Sequence, residues 1–278
     1  MHFWRYSRQE YDWIDDGMSL LRRDFLPAAA AAVMRDAGMD ACVAVQARQT
    51  LEETSFLLDL AARHQFIAGV VGWVDLRAAD LDDQLAELSA HRKLVGLRHI
   101  VQAEPDDFLR GEAFRRGVAA LERYGFAYDM LIYARQLPAA IDFAAALPAA
   151  RLVLDHLGKP DIRGGGFDGW RRDLDRLAKL SNVRAKLSGL VTEADWNAWT
   201  IEDIHRYISA ALDSFGAERL MIGSDWPVCG VAATYSQVID LVRSAVADRT
   251  PAERAAIMGG TAQKFWNLSL APFVERNV

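Results

Sequence analysis

The chain has 278 residues, of which 51% are hydrophobic and 25% charged, a composition typical of a globular protein with a sizeable buried core. Its 32 Lys and Arg residues against 38 Asp and Glu residues give a net charge of -6, which argues against nucleic acid as a partner because phosphate binding needs a concentrated basic face. No apolar run approaches the ~18 residues that cross a bilayer, and the only cysteines, Cys42 and Cys229, are far apart, so we expect a cytoplasmic protein with no membrane partner.

Seven short apolar runs recur along the chain, and each predicts a buried strand because its apolar character is continuous rather than alternating. They cover residues 41–47, 67–76, 94–101, 126–133, 151–157, 183–190 and 220–226. Between them lie segments in which apolar residues have helical spacing, such as Leu81, Leu85 and Leu88. Because strand and helix alternate without a linker, we expect residues 1–278 to form a single α/β domain, a (β/α)8 TIM barrel.

The two ends of the chain complete this prediction. A closed barrel of this type needs eight strands, and the missing one would be the first, because the chain begins abruptly at Met1 and His2 with no apolar run before them. We therefore expect a truncated first strand and a coding region that starts further upstream. Near the other end, Thr250, Pro251 and Glu253 form a capping box that predicts the start of a helix.

Polar residues stand where the apolar runs end, which in a parallel barrel is the edge that carries the active site. They are Gln46, Trp73, Asp75, Arg98, His99, Asp155, His156, Lys186, Ser188, Asp225 and Trp226. Two histidines and a carboxylate from different strand ends suit hydrolysis by an activated water, because a carboxylate accepts the proton of the water while imidazoles or a cation stabilise the oxyanion. Asp225 is the best candidate for the base.

Five segments together resemble one known family. They are Met1-His2-Phe3-Trp4, Gly96-Leu97-Arg98-His99, Leu154-Asp155-His156-Leu157-Gly158-Lys159-Pro160, Lys186-Leu187-Ser188-Gly189-Leu190 and Gly223-Ser224-Asp225-Trp226-Pro227. In this order they are similar to the amidohydrolase-related sugar-lactone lactonases, which include fuconolactone and rhamnonolactone hydrolases. The resemblance covers nearly the whole chain and implies a distorted eight-stranded barrel that opens a sugar lactone with water.

The resemblance also implies roles for individual residues. Asp225 would be the general base, and His99 and His156 would contact the carbonyl or ring oxygens. The family has two histidines separated by one residue on its first strand, and here only the second, His2, is present. A divalent ion, which members of this branch do not always need, would be held by His2, His156 and Asp225, and zinc suits imidazole and carboxylate ligands best.

Ordinary structural roles compete with several of these assignments. Trp4, Trp73 and Trp226 suit a platform for the apolar face of a sugar ring, but barrel packing explains them almost as well. Lys186 and Asp129 are charged residues in apolar strands, where a buried ion pair is an adequate explanation, although Lys186 could equally bind substrate hydroxyls.

Three further positions stay ambiguous. Gln46 could bind substrate or have a structural role. His99 could be catalytic, or it could be a core residue held by a backbone carbonyl. Strand alternation predicts that either Asp155 or His156 points away from the barrel axis, without saying which.

We therefore predict a carboxylic-ester hydrolase of carbohydrate catabolism, a lactonase with a small-molecule sugar lactone as its substrate, acting as a monomer or homodimer. Two other functions stay open at this point. A metal-dependent, non-oxidative decarboxylase of the same superfamily would use much the same residues but would need a firmly bound metal. A non-catalytic sugar-binding barrel would bind ligand without turnover.

Overall fold

The computed structural model describes residues 1–270 and contains a seven-stranded sheet in which every neighbouring pair is parallel and the spatial order follows the chain. The strands are β1 (Cys42–Val45), β2 (Ile67–Gly72), β3 (Leu94–His99), β4 (Ala127–Met130), β5 (Leu152–Leu154), β6 (Val183–Leu187) and β7 (Leu220–Ile222). All seven predicted strands are confirmed. The sheet curls as in a TIM barrel, with β1 and β7 as its two edges.

The strands are shorter than the apolar runs that predicted them. Residues 151–157, for example, form only the three-residue strand Leu152–Leu154, and the chain then leaves the sheet in a tight turn. The end of each run is thus a loop on the carboxyl edge of the sheet, where side chains need not alternate between the two faces.

The helices lie between successive strands and around the outside of the sheet. They are α1 (Pro27–Asp36), α2 (Leu51–Arg63), α3 (Leu81–Leu88), α4 (Glu112–Ala120), α5 (Leu137–Ala146), α6 (Phe167–Ala178), α7 (Ile201–Phe215), α8 (Tyr235–Ala245), α9 (Pro251–Ala255) and α10 (Thr261–Trp266). The predicted capping box is confirmed, since the backbone N–H of Glu253 donates to the Thr250 hydroxyl and the Glu253 carboxylate accepts in return. Among residues 1–270, no helix has both the length and the apolar character needed to span a membrane.

Apolar side chains form two layers of core. The larger packs between the sheet and its helices, while a smaller one lies inside the barrel and consists of Val45, Val71, Ala127, Val153 and Met221 with Trp266 from α10. Towards the carboxyl ends of the strands the interior carries buried polar side chains, among them Arg98, Asp155 and Lys186. In a parallel barrel this is the end that carries the active site.

The first two residues occupy part of the gap between the sheet edges. The amino group of Met1 donates to the Val43 carbonyl at 3.0 Å, and the Val45 N–H donates to the Met1 carbonyl at 2.8 Å. On the other side, the His2 N–H donates to the Trp226 carbonyl at 2.7 Å. His2 is therefore fixed at the carboxyl end of the barrel, between β1 and the residues that follow β7.

Candidate active site

His2, His156 and Asp225 meet at the carboxyl end of the barrel. One carboxylate oxygen of Asp225, Oδ1, lies 3.1 Å from Nε2 of His2 and 3.6 Å from Nε2 of His156. All three side chains are more than nine-tenths buried. Residues from the beginning, middle and end of the chain thus form one compact acid-base cluster, as the sequence predicted.

A left-handed turn after β5 positions His156. The backbone φ angles are 54° at His156, 51° at Leu157, 71° at Gly158 and 45° at Lys159, a region that costs non-glycine residues about 1–2 kcal/mol each. The Trp170 indole N–H holds the turn by donating to the Leu157 carbonyl at 2.7 Å. Strain of this kind persists where the surroundings over-determine it, which is common at functional sites.

This turn also corrects a prediction about Asp155 and His156. Alternation along a strand would send one of the two side chains outward, but β5 ends at Leu154 and neither residue continues it. Asp155 enters the barrel interior, where it pairs with Arg98 and Lys186, and His156 turns to Ser188 and Asp225. Both side chains therefore face the barrel.

The surroundings of His2, His156 and Asp225 determine which of these three side chains is charged. Burial would raise the pKa of Asp225, but His156 and His2 beside it outweigh that effect and hold the pKa of this carboxyl well below its usual range. Burial lowers the pKa of His156 to about 4 and also lowers the pKa of His2. Near neutral pH the cluster is an ionised carboxylate beside two uncharged imidazoles, which is what a general base of this kind needs.

The tautomer of His2 follows from its second contact. Nδ1 lies 2.8 Å from the Val45 carbonyl oxygen, which can only accept, so Nδ1 carries a hydrogen. Nε2 of a neutral His2 then presents a lone pair towards Asp225. Nδ1 of His156 is similarly engaged by the Ser188 hydroxyl at 2.8 Å, which leaves its Nε2 directed at the same carboxylate.

The chemistry of these donor atoms fits zinc, since imidazole nitrogens oriented through their Nδ1 partners and a carboxylate oxygen are common zinc ligands. The two distances to Asp225 also suit a shared ion, because donors about 2.0–2.2 Å from a tetrahedral zinc lie roughly 3.3–3.6 Å apart, and Asp225 Oδ1 is 3.1 Å and 3.6 Å from the two imidazoles. Within residues 1–270, however, no group of three or more His, Cys, Asp or Glu side chains surrounds one common position for a metal ion.

A network of buried charges lies below the cluster, inside the barrel. Lys186 Nζ pairs with Asp129 and lies 2.6 Å from Asp155, and Arg98 pairs with Asp155 at 2.9 Å. Gln46 accepts from the Arg98 guanidinium and donates to the Arg98 carbonyl. Lys186 and Gln46 are thus bound by other protein groups, and the predicted ion pair of Lys186 and Asp129 is present.

The structure does not bring His99 to Asp225. Its neighbour Arg98 faces the barrel interior, so alternation along β3 turns His99 towards the surrounding helices. There the ring stacks on Phe108 with centroids 5.2 Å apart, and Nε2 lies 2.9 Å from Glu104. Burial lowers the pKa of His99 despite this carboxylate.

The three tryptophans predicted as a sugar platform occupy different environments. Trp4 is fully buried among Tyr11 and Phe25 and donates its indole N–H to the Arg23 carbonyl. Trp226 is almost as buried and packs against Phe3 and Phe25. Trp73 is half-buried at the end of β2, and its indole N–H is buried without a hydrogen-bond partner. Of the three, Trp73 is the one that retains a free donor.

A cavity of about 450 Å³ opens next to the cluster, within the size range of small-molecule sites. Its walls include His2, His156 and Asp225 at the carboxyl end of the barrel. It continues between the two sheet edges, where Val43 and Met221 line it. Gly38, Cys42, Met258 and Gln263 also line it, so the cavity runs from the acid-base cluster along the gap between β1 and β7 towards the amino-terminal side of the barrel.

Lys159 and Glu193 also belong to this region, although no role was predicted for either. Lys159 Nζ lies 3.5 Å from Glu193 Oε1, and the Lys159 charge acts on both Asp225 and His156. The sequence signal was the position of Lys159, three residues after His156 in a Gly-containing turn.

Comparison with known proteins gives a consistent result. The sequence profile described as amidohydrolase matches residues 1–268. An L-fucono-1,5-lactonase from Burkholderia multivorans is 47% identical over 279 residues, covering 96% of this chain and 94% of the relative. An L-fucono-1,5-lactonase from Burkholderia ambifaria is 35% identical over 272 residues, covering 96% and 93%. The crystal structure of an amidohydrolase from Burkholderia multivorans with bound zinc matches with a TM-score of 0.93 at 46% identity, covering 96% of this chain and 97% of that chain.

Proposed function

The chain belongs to the amidohydrolase family, and from this premise we propose that its substrate is L-fucono-1,5-lactone. The protein is a hydrolase that opens a sugar lactone to the free acid, the activity for which the two Burkholderia relatives at 47% and 35% identity are named. The observation that supports a hydrolytic site in this chain is the geometry of Asp225, an ionised, buried carboxylate in contact with two imidazoles beside a cavity.

Water attack on the lactone carbonyl accounts for the arrangement. Asp225 accepts a proton from the water as its oxygen bonds to the carbonyl carbon, and the carbonyl π electrons move to the carbonyl oxygen. When the tetrahedral intermediate collapses, the bond from that carbon to the ring oxygen breaks, and Asp225 returns the proton to the leaving oxygen. His156, positioned by Ser188, and His2, positioned by Val45, lie against Asp225 and limit the space into which its carboxylate can move.

The remaining predicted residues take supporting roles in this proposal. Trp73 would pack at the end of β2, because its indole N–H is buried and it does not line the cavity. Lys186 and Gln46 would shape the floor through the charge network, Trp4 and Trp226 would stiffen the wall next to His2, and His99 would support β3 from outside.

A pH-indicator assay with five- and six-membered aldonolactones tests the proposal. We expect acid release from L-fucono-1,5-lactone, reduced roughly a thousandfold in Asp225→Asn because the amide cannot accept the proton. Asp36→Asn, which makes the same change at an exposed position at the end of α1, is the matched control and should retain wild-type rates. If the wild type releases no acid from any lactone of the panel, the proposed activity is wrong.

The binding of zinc can be tested independently of lactone hydrolysis. We propose that His2, His156 and Asp225 would be its ligands, in which case zinc would polarise the substrate carbonyl and acidify water. We expect zinc to raise the melting temperature of the wild type but not of His156→Asn. We also expect lactone hydrolysis to survive chelation, because an ionised carboxylate accepts a proton without a metal. Activity abolished by chelation and restored by zinc would contradict this expectation and would mean that the lactonase depends on zinc.

A further inference from the structure

The left-handed turn determines where Lys159 points. The Lys159 N–H donates to the His156 carbonyl at 2.9 Å, so the turn closes over three residues. In a turn with three residues per revolution, side chains at positions i and i+3 eclipse one another, in either hand. Lys159 therefore lies on the same face of the turn as His156, which is the face directed at Asp225.

The surroundings of Lys159 leave its ammonium group available. It lies 3.5 Å from Glu193 Oε1 and 5.4 Å from the centroid of the Tyr133 ring, and the two charged side chains are 16% and 18% exposed. Lys186, by contrast, is enclosed between two fully buried carboxylates, Asp129 and Asp155. A partly exposed ion pair at 3.5 Å can exchange one anionic partner for another.

The proposed reaction develops negative charge on the substrate. When water adds to the carbonyl carbon and Asp225 accepts a proton, the former carbonyl oxygen becomes an alkoxide. A cation close to that oxygen would stabilise the transition state. The ammonium group of Lys159 can act as such a cation, since its ionic partner Glu193 is partly exposed.

We propose that Lys159 is a catalytic residue whose ammonium group leaves Glu193 to bind the substrate carbonyl oxygen as it becomes an alkoxide, and then the carboxylate of the product. This inference rests on the proposed lactonase activity and deepens it. The step requires no further reactant: Lys159 stays protonated throughout, and Asp225 takes one proton of the water and returns it to the ring oxygen. The other proton of the water remains on the new carboxylic acid, which releases it to solvent as it becomes the carboxylate.

The test compares Lys159→Met, Lys159→Arg and Glu193→Gln with the wild type in two measurements. The first is steady-state hydrolysis of L-fucono-1,5-lactone, and the second is calorimetric binding of L-fuconate, the product anion. Met and Arg are unbranched at Cβ like Lys, so the left-handed backbone at position 159 affects the three residues alike. Lys179→Met removes the same charge from an exposed position at the end of α6 and is the control.

We expect Lys159→Met to lower kcat roughly a hundredfold with a small change in KM, and to weaken L-fuconate binding about tenfold. Lys159→Arg should restore part of both. Glu193→Gln should bind L-fuconate more tightly than the wild type, because Lys159 no longer has a competing anion. A salt bridge with a purely structural role predicts instead that Lys159→Met and Glu193→Gln weaken binding together.

The outcomes separate this inference from the proposed function. Wild-type protein that hydrolyses none of the lactones and does not bind L-fuconate would overturn both. If the wild type is active, but Lys159→Met changes kcat by less than threefold and leaves the affinity for L-fuconate unchanged, only the role of Lys159 is overturned.

Discussion

At the scale of single residues, the ionisation of His156 sets the expected pH dependence. Its lowered pKa of about 4 arises from burial, and the carboxyl of Asp225 titrates well below its usual range. Above this value the imidazole is neutral and Asp225 is ionised, so kcat/KM should be constant from about pH 5 to neutral pH. As the pH falls through about 4, protonation of His156 should remove activity.

A pH-rate profile of L-fucono-1,5-lactone hydrolysis checks this prediction, with short assays so that the folded protein is measured. An acid limb centred between pH 6 and 7 would contradict it and would mean that a histidine near its ordinary pKa controls the rate.

The stability of the fold should also depend on the protonation of His156, and like the activity it should decrease as the pH falls. A histidine whose folded-state pKa lies below its unfolded value of about 6.5 binds fewer protons in the folded state between pH 6.5 and 4. His156 therefore contributes stability that is fully present above about pH 6.5 and is lost as the pH falls towards 4. Urea unfolding at pH 7.5 and 5 should show a smaller loss for His156→Asn than for the wild type.

At the scale of structural elements, the contact between the turns after β5 and β6 is the most sensitive point of the site. Gly189 follows β6 with φ of 64°, and a Cβ there would lie 2.5 Å from Nδ1 of His156. Gly189→Ala should therefore displace the imidazole from Ser188 and lower kcat at least roughly tenfold, since small displacements of catalytic groups are costly.

Gly125 offers a control for this substitution. It is left-handed, with φ of 72° and ψ of 15°, and a Cβ there would meet nothing within 4 Å. Both alanine variants have a positive φ, which costs about 1–2 kcal/mol in the left-handed region, but only Gly189→Ala also clashes with the site. Equal losses of stability and of activity in the two variants would show that backbone strain alone is responsible.

At the scale of the whole molecule, the charge network links β3, β4, β5 and β6 across the barrel interior. Burial raises the pKa of Asp129 to about 6 although Lys186 opposes the effect. Removing one partner of a buried pair leaves an uncompensated charge and costs about 3–5 kcal/mol, whereas replacing both partners with apolar residues often costs little. Lys186→Met should therefore destabilise the fold more than the double variant Lys186→Met/Asp129→Leu.

Denaturant unfolding of the two variants and the wild type measures this difference at pH 8, where Asp129 is ionised. Asp142→Leu removes a half-exposed carboxylate that pairs with Arg110 on the surface, and it should change stability by less than about 1 kcal/mol. A double variant less stable than Lys186→Met would show that the network stabilises the barrel beyond neutralising its own charges.

The sequence by itself determined the order and number of the seven strands, because buried parallel strands need continuous apolar runs and each run is local in the chain. It also predicted that His156 and Asp225 lie close together, since polar residues at strand ends converge wherever parallel strands share an edge. His2 was predicted from the family resemblance of the first four residues. The single-domain assignment, the cytoplasmic location and the oligomeric state stay predictions.

Only the tertiary structure decided which side each polar residue faces. Adjacent residues such as Arg98 and His99 carry equally plausible chemistry, and strand register, a long-range property, turns one inward and the other outward. The left-handed turn at His156 overrides alternation altogether, and it is held by contacts with Trp170 and Ser188 that lie 13 to 32 residues away in the chain. Local sequence patterns determine where an element forms, whereas the direction of a side chain at the end of that element depends on partners that are distant in the chain. For that reason the position of Lys159 beside the site became evident only from the fold.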